Sequence, residues 1–430
     1  MRSYRRIVIV GGGSMLWTPE KVGMMAVSQA CREAEVVLVD IALEKAARMA
    51  ELCTRMIARG YPGIGLRVTA AATLDEALPG ADAVMTCYCN LGLQIEGKLN
   101  AIAQRYGSHQ CCFTAGPGAM LYVCTQAPTM VRLVEAMQRH CPDAWLVNCS
   151  NPLPAMVMVA VKAGADPRRV LGFCGALHWS RTQLAGFLGV APERVQFRIG
   201  GTNHCTFFTE VRVDGEDGYP LLRRRAREVG YLDLGCWGRS TTEIHFLETL
   251  GLLPCGGHAT DIFPEIHGEW LPPLPTAPPK PDGFAEGFAE RFQAYCMGNE
   301  VNWRPPAAAD VPVTWLDALA GAPGDRLFSV NFTNFGAVPN LPDWSVPDLE
   351  CHLDARGITP LASSPLPEHV AEVVRRHQMT FEMVARAAVT RDRDLLLRAI
   401  QLQPFGNYLE SAERIVADAR AEFGEELILQ

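Results

Sequence analysis

The chain has 430 residues, 48% hydrophobic and 20% charged, with a formal net charge of −8. That length exceeds one small core and fits two domains, and the acidic balance argues against a nucleic-acid surface. No apolar run reaches the roughly eighteen residues of a membrane span, and MRSYRRIVIVGGG does not read as a signal peptide. The basic run RRRAR at 223–227 reads as a solvated helix face. The 15 cysteines are scattered, with no zinc-ribbon pair, so they are expected to be reduced and mostly buried in a cytoplasmic enzyme.

In chain order, the first half alternates strands and helices. Arg6–Val10 reads as a buried strand and Pro19–Arg32 as a helix, with Thr18 as N-cap. Strands follow at Glu35–Asp40, Leu66–Ala70, Asp82–Cys87 and Ala144–Asn148. Helices are expected over Glu44–Arg59, Gly97–Tyr106 and Met120–His140. Continuously apolar strands alternating with helices imply an α/β fold, a doubly wound parallel sheet covered on both faces. Past about residue 195 the pattern changes. Val195–Ile199 and Thr206–Val213 alternate like antiparallel strands, and 271–283 is an irregular proline-rich stretch. Phe328–Val330 reads as another strand, and Glu368–Val389 and Leu409–Phe423 as closing helices. The expected division is a Rossmann-like domain over 1–195 and an α+β domain over 196–430.

Gly11-Gly12-Gly13-Ser14 directly follows the first strand, where glycines allow a tight turn and close approach to a pyrophosphate. The third glycine of GxGxxG is absent, Leu16 standing there, so an ordinary strand–helix turn is the other reading. Asp40 ends the second strand, where a carboxylate accepts from ribose hydroxyls and favours NAD over NADP; capping the next helix is its alternative role. Asn148 and Asn151 bracket NCSNP at a strand's carboxyl end, facing either a ligand crevice or a turn. Cys174, in GFCGALH, and His204, in GTNHC, sit at two further strand ends. A thiolate and an imidazole suit a borderline divalent metal, although each alone is more often structural. His258 and Asp261 lie in the glycine-containing loop GLLPCGGHATDIFPEIHGEW, a kind that often carries function.

These runs together resemble glycoside hydrolase family 4, the NAD- and metal-dependent glycosidases. VIVGGGSMLWTPE, CCFTAGPGAM, CPDAWLVNCSNP, GFC, GTNH and NFTNFGAVPNLPDWSVPDLE come in the family's order over nearly the whole chain. The loop around His258 is similar to the branch acting on non-phosphorylated α-glycosides and uronides. The resemblance implies a fold of the lactate/malate dehydrogenase type, forming a homodimer or homotetramer. Gly11, Gly13, Ser14, Asp40 and Asn148 would bind NAD; Cys174 and His204 would hold a divalent metal, usually manganese; Asn151 and Asn203 would contact the sugar. The implied reaction is oxidation at carbon 3, metal-assisted deprotonation at carbon 2, elimination, water addition and re-reduction. Two positions depart from the family. Gly175 replaces a polar neighbour of the metal cysteine, which either passes its role to His178 or leaves it unneeded. No tyrosine lies between Tyr231 and Tyr295, which leaves His258 or Asp261 as base.

Two other readings stay open. A malate/lactate-type dehydrogenase would release NADH with a hydroxy acid and need no metal. A non-catalytic NAD- or sugar-binding protein would bind cofactor without turnover.

Overall fold

The computed structural model describes residues 1–92, 94–108, 114–174, 180–233, 239–255, 284–306, 314–324, 326–404 and 408–424. Strands β1 (Arg6–Val10), β2 (Glu35–Val39), β3 (Arg67–Ala71), β4 (Ala83–Thr86), β5 (Trp145–Asn148) and β6 (Val170–Gly172) run parallel in the order 3-2-1-4-5-6. This is the dinucleotide-binding arrangement, with its chain reversal between β1 and β4. Near the chain's end, β12 (Leu327–Asn331), β13 (Asp348–Asp354) and β14 (Gly357–Pro360) extend the same sheet antiparallel beyond β6. A separate sheet contains β7 (Val195–Thr202), β8 (Cys205–Val213) and β9 (Glu216–Asp217), and β10 (Leu232–Asp233) pairs with β11 (Arg239–Ser240).

The strands are apolar on both faces, so both are covered. Ile7, Ile9, Met85, Val147 and Leu171 pack beneath α1 (Thr18–Val27) and α2 (Leu43–Gly60). Val8, Val10, Val84, Leu146 and Val170 pack on the opposite side. The helices there include α4 (Gln94–Gln104), α5 (Gly116–His140) and α6 (Leu153–Lys162), which α3 (Leu74–Ala77) precedes in the chain. The second half adds α7 (Ser180–Leu188), α8 (Tyr219–Val229), α9 (Thr242–Thr249), α10 (Phe284–Cys296) and α11 (Trp315–Leu319). The last three helices are α12 (Glu368–Thr390), α13 (Arg393–Gln401) and α14 (Ala412–Phe423).

Element type follows the sequence expectation, while some boundaries shift for identifiable reasons. The first helix stops at Val27, not Arg32. The Ser28 hydroxyl and the Ala30 amide both donate to buried Asp317 at 2.8 Å, pulling the chain out of the helix. The long helix starts at Gly116 instead of Met120, since Pro117 fits its first turn. The sequence reading did not pick out α13, which Asp392 caps by accepting from Leu395 N at 2.9 Å. The twelve described cysteines are all free thiols. Among the described residues no helix is long and apolar enough to cross a membrane.

One register row crosses the sheet at the carboxyl ends of the parallel strands. It runs Val39, Val10, Thr86, Asn148, Gly172, Asn331, Asp348. Residues level in adjacent strands present side chains to the same face, so its second half is a polar line laid across an apolar sheet.

Candidate active site

The loop after β1 is shaped by contacts that only glycine allows. Gly11 has φ 87°, and a Cβ there would lie 2.6 Å from Tyr88 N. A Cβ on Gly13 would come within 2.8 Å of Asp40 Oδ2, to which the Gly13 amide donates at 3.0 Å. Asp40 Oδ1 also accepts from Ala42 N at 3.2 Å, so this carboxylate braces the glycine loop and the turn after β2 together. Ser14 Oγ accepts from Trp17 N at 3.3 Å, and Thr18 Oγ1 donates to Gly12 O at 3.0 Å. Thr18 is the first helical residue; Trp17 holds the cap position without a side-chain hydrogen bond. The cradle suits a pyrophosphate, and Asp40 directly follows the end of β2.

Along the polar row, Asn148 is fully buried and works locally. Its Oδ1 accepts from Thr86 Oγ1 at 2.8 Å and Ser150 N at 3.2 Å, and its Nδ2 donates to Ser150 O at 2.8 Å. These bonds shape the turn that presents half-buried Asn151, whose bond to Pro152 is cis. One strand further, Gly172 leaves room for Asn331; a Cβ there would sit 2.9 Å from the Asn331 Cβ.

Asn203 and His204 form the two-residue turn joining β7 to β8. His204 occupies the left-handed region at φ 68°, a conformation worth roughly 1–2 kcal/mol against a residue with a Cβ. The turn closes so tightly that a Cβ on Gly201 would lie 2.2 Å from Cys205 O. Beneath it lies Asp348, with no solvent exposure. Its carboxylate accepts from Thr206 Oγ1, Asn331 Nδ2 and the Asn203 side chain. Burial pushes Asp348 up to about 6; the Thr206 bond, the nearby His204 charge and the two asparagine bonds pull the other way. From α12, Gln378 Nε2 donates to Thr202 Oγ1 at 2.8 Å, and its Oε1 accepts from Val346 N at 2.7 Å. Asp348, Asn331 and Gln378 were not singled out from the sequence. The available signal was an acid opening the strand DLECHLD directly after a proline.

Cys174 follows β6 by two residues and is partly exposed. Phe173, beside it, carries the Lys21 ammonium 5.6 Å from its ring centre, and the same ammonium lies 5.6 Å from the Trp17 ring. Burial alone would press Lys21 down, but the Glu20 carboxylate beside it pulls the other way, and the net direction is up. Burial pushes the Cys87 thiol up to about 12, so it stays protonated at neutral pH. A fixed cation thus lies between the glycine loop and Cys174, a second feature absent from the sequence reading. Among the described residues no three His, Cys, Asp or Glu side chains form a metal cage. His178, His258, Asp261 and the proline-rich stretch lie outside the described residues.

With this geometry in place, comparison with known proteins decides the family. The model described as "Family 4 glycosyl hydrolase" matches residues 6–190, and that of the family's C-terminal domain matches 286–405. The chain belongs to glycosyl hydrolase family 4. The sequence of this glycoside hydrolase is 25% identical to an alpha-galactosidase of Bacillus subtilis over 93% of each chain. It is also 25% identical to an alpha-galacturonidase of Bacillus subtilis, again over 93% of each. Its fold matches a crystal structure of a 6-phospho-alpha-glucosidase from gut microorganisms, in complex with NAD and Mn2+, at TM-score 0.82. That likeness spans 100% of both chains at 21% identity.

Proposed function

We propose that this family 4 glycoside hydrolase cleaves α-linked galactosides or galacturonides, using NAD and a divalent metal, manganese in this reading. The observation that carries the proposal is the strand-end row. It has a glycine cradle braced by Asp40 at one end and, at the other, Cys174 and the His204 turn joined through Gly172, Asn331 and Asp348. The names and extent of the two Bacillus subtilis relatives support the sugar and its anomer.

When bound, NAD would accept and return a hydride at carbon 3 of the sugar, while the divalent ion would withdraw charge from the oxygens on carbons 2 and 3. In this reading the chain's own residues divide the work as follows. Gly11, Gly13 and Ser14 let the backbone approach the pyrophosphate, and Asp40 accepts from the adenosine ribose. Asn148 fixes the turn on which Asn151 meets the sugar hydroxyls. Cys174 and His204 offer one sulfur and one nitrogen donor, which leaves room for substrate oxygens as catalytic metal sites require. Asn203, in the hairpin turn beside His204, is read as a further contact to the sugar. His258 or Asp261 takes the proton from carbon 2, and His178 serves the leaving oxygen; the lack of tyrosine between Tyr231 and Tyr295 supports this assignment. Free thiols suit a cytoplasmic enzyme. A homodimer or homotetramer is proposed on the family resemblance.

The test is turnover of nitrophenyl α-galactoside and α-galacturonide with NAD, Mn2+ and thiol in deuterated water. Deuterium at carbon 2 of the released sugar is expected. Cleavage without that exchange, or net NADH release with a hydroxy acid, would overturn the proposal.

A further inference from the structure

We propose that Asp348 is a positioning residue for metal binding: it clamps the Asn203–His204 turn so that His204 is held ready for the ion. The inference rests on the reading of Cys174 and His204 as metal ligands. Three independent features point to it. His204 sits in the left-handed region, which a residue with a Cβ keeps only where its surroundings over-determine it. The surroundings that do so converge on one carboxylate, which takes hydrogen bonds from both sides of the turn, Asn203 before His204 and Thr206 after it. That carboxylate is also tied through Asn331 to the strand beside β6, the strand that leads to Cys174. One buried anion therefore relates the two ligand-bearing segments, which come from different sheets.

Every named neighbour of Asp348 donates to it, so the position demands an acceptor. Asp348→Asn keeps the shape but turns an N–H2 against those donors. Thr206→Val is a milder variant that removes a single bond. A clamp differs from a general structural support in what it moves. Its loss weakens metal binding while leaving the cofactor half untouched.

The experiment titrates Mn2+ alone into the metal-free full chain, followed by electron paramagnetic resonance, with NAD affinity and thermal midpoint measured on the same samples. Asp348→Asn should weaken Mn2+ binding about 10–100-fold, and Thr206→Val about fivefold, with NAD affinity within about twofold of wild type. Co2+ substituted for Mn2+ should keep its thiolate absorption from Cys174 in Thr206→Val while its ligand-field bands shift. Wild-type Mn2+ affinity in Thr206→Val, or an equal loss of NAD and Mn2+ affinity in that variant, overturns the clamp alone. A wild-type chain that binds NAD but no Mn2+ overturns the metal reading and the clamp with it.

Discussion

Gly11 and His204 both leave the end of a strand with positive φ, at 87° and 68°. Gly11 is shaped by its own neighbourhood. Its amide bonds to Val39 O at 2.8 Å on the adjacent strand, and the crowding that forbids a side chain comes from Tyr88, just past the other adjacent strand. His204 is shaped from a distance. Thr206 reaches Asp348 across 142 residues of sequence, and Thr202 reaches Gln378 across 176. The two turns, which the proposed function makes the two ends of one active site, are thus built differently. The turn proposed for the cofactor uses absence of side chains, and a glycine costs little in that conformation. The turn proposed for the metal carries a side chain in an unfavourable conformation, so the fold supplies buried polar groups to hold it.

This contrast predicts that the two ends can be broken separately. Cys174→Ser should have the largest effect. Removing the sulfur donor should cut turnover about 1000-fold or more, the several kcal/mol expected of a Lewis-acid contribution, while NAD affinity measured by fluorescence stays within about twofold. Full activity in this variant would remove Cys174 from the metal site. Gly11→Ala attacks the other end. The conformational penalty together with the clash at Tyr88 amounts to about 3 kcal/mol, or roughly 100-fold in NAD affinity, and Mn2+ binding should persist. If both ligands weaken together, the two ends are not separable. The smallest effect on stability is expected from His204→Asn. Asparagine tolerates the left-handed region, so the urea midpoint of the metal-free protein should correspond to a change within about 1 kcal/mol, although Mn2+ affinity is lost. A large destabilisation would mean that the imidazole itself supports the turn.

How much of this was legible in the sequence follows the same division. The parallel sheet, the glycine loop and Asp40 rest on local patterns: apolar strands, a strand–glycine–helix succession and an acid at the next strand's end. Cys174 and His204 were singled out because thiolate and imidazole are distinctive ligand types at predicted strand ends. What holds them was hidden, because Asp348, Asn331 and Gln378 are ordinary polar residues whose meaning comes from long-range pairing. The placement of β12 to β14 beside β6 was hidden for the same reason, since strand order across a sheet is not written in the periodicity of any one strand. Asn148 shows how the site can be concealed in plain view. Its position at a carboxyl strand end was readable, whereas the commitment of its amide to Thr86 and Ser150 depends on a neighbouring strand.

The single row through Gly172, Asn331 and Asp348 also sets an order of assembly in time. Everything that shapes the glycine loop has been synthesised once Tyr88 has been added. Asp348 follows roughly 260 residues later, which at about 5–20 residues per second is roughly 13–50 s. Throughout that interval a nascent chain holds the pieces of its glycine loop but lacks the buried anion that holds the His204 turn.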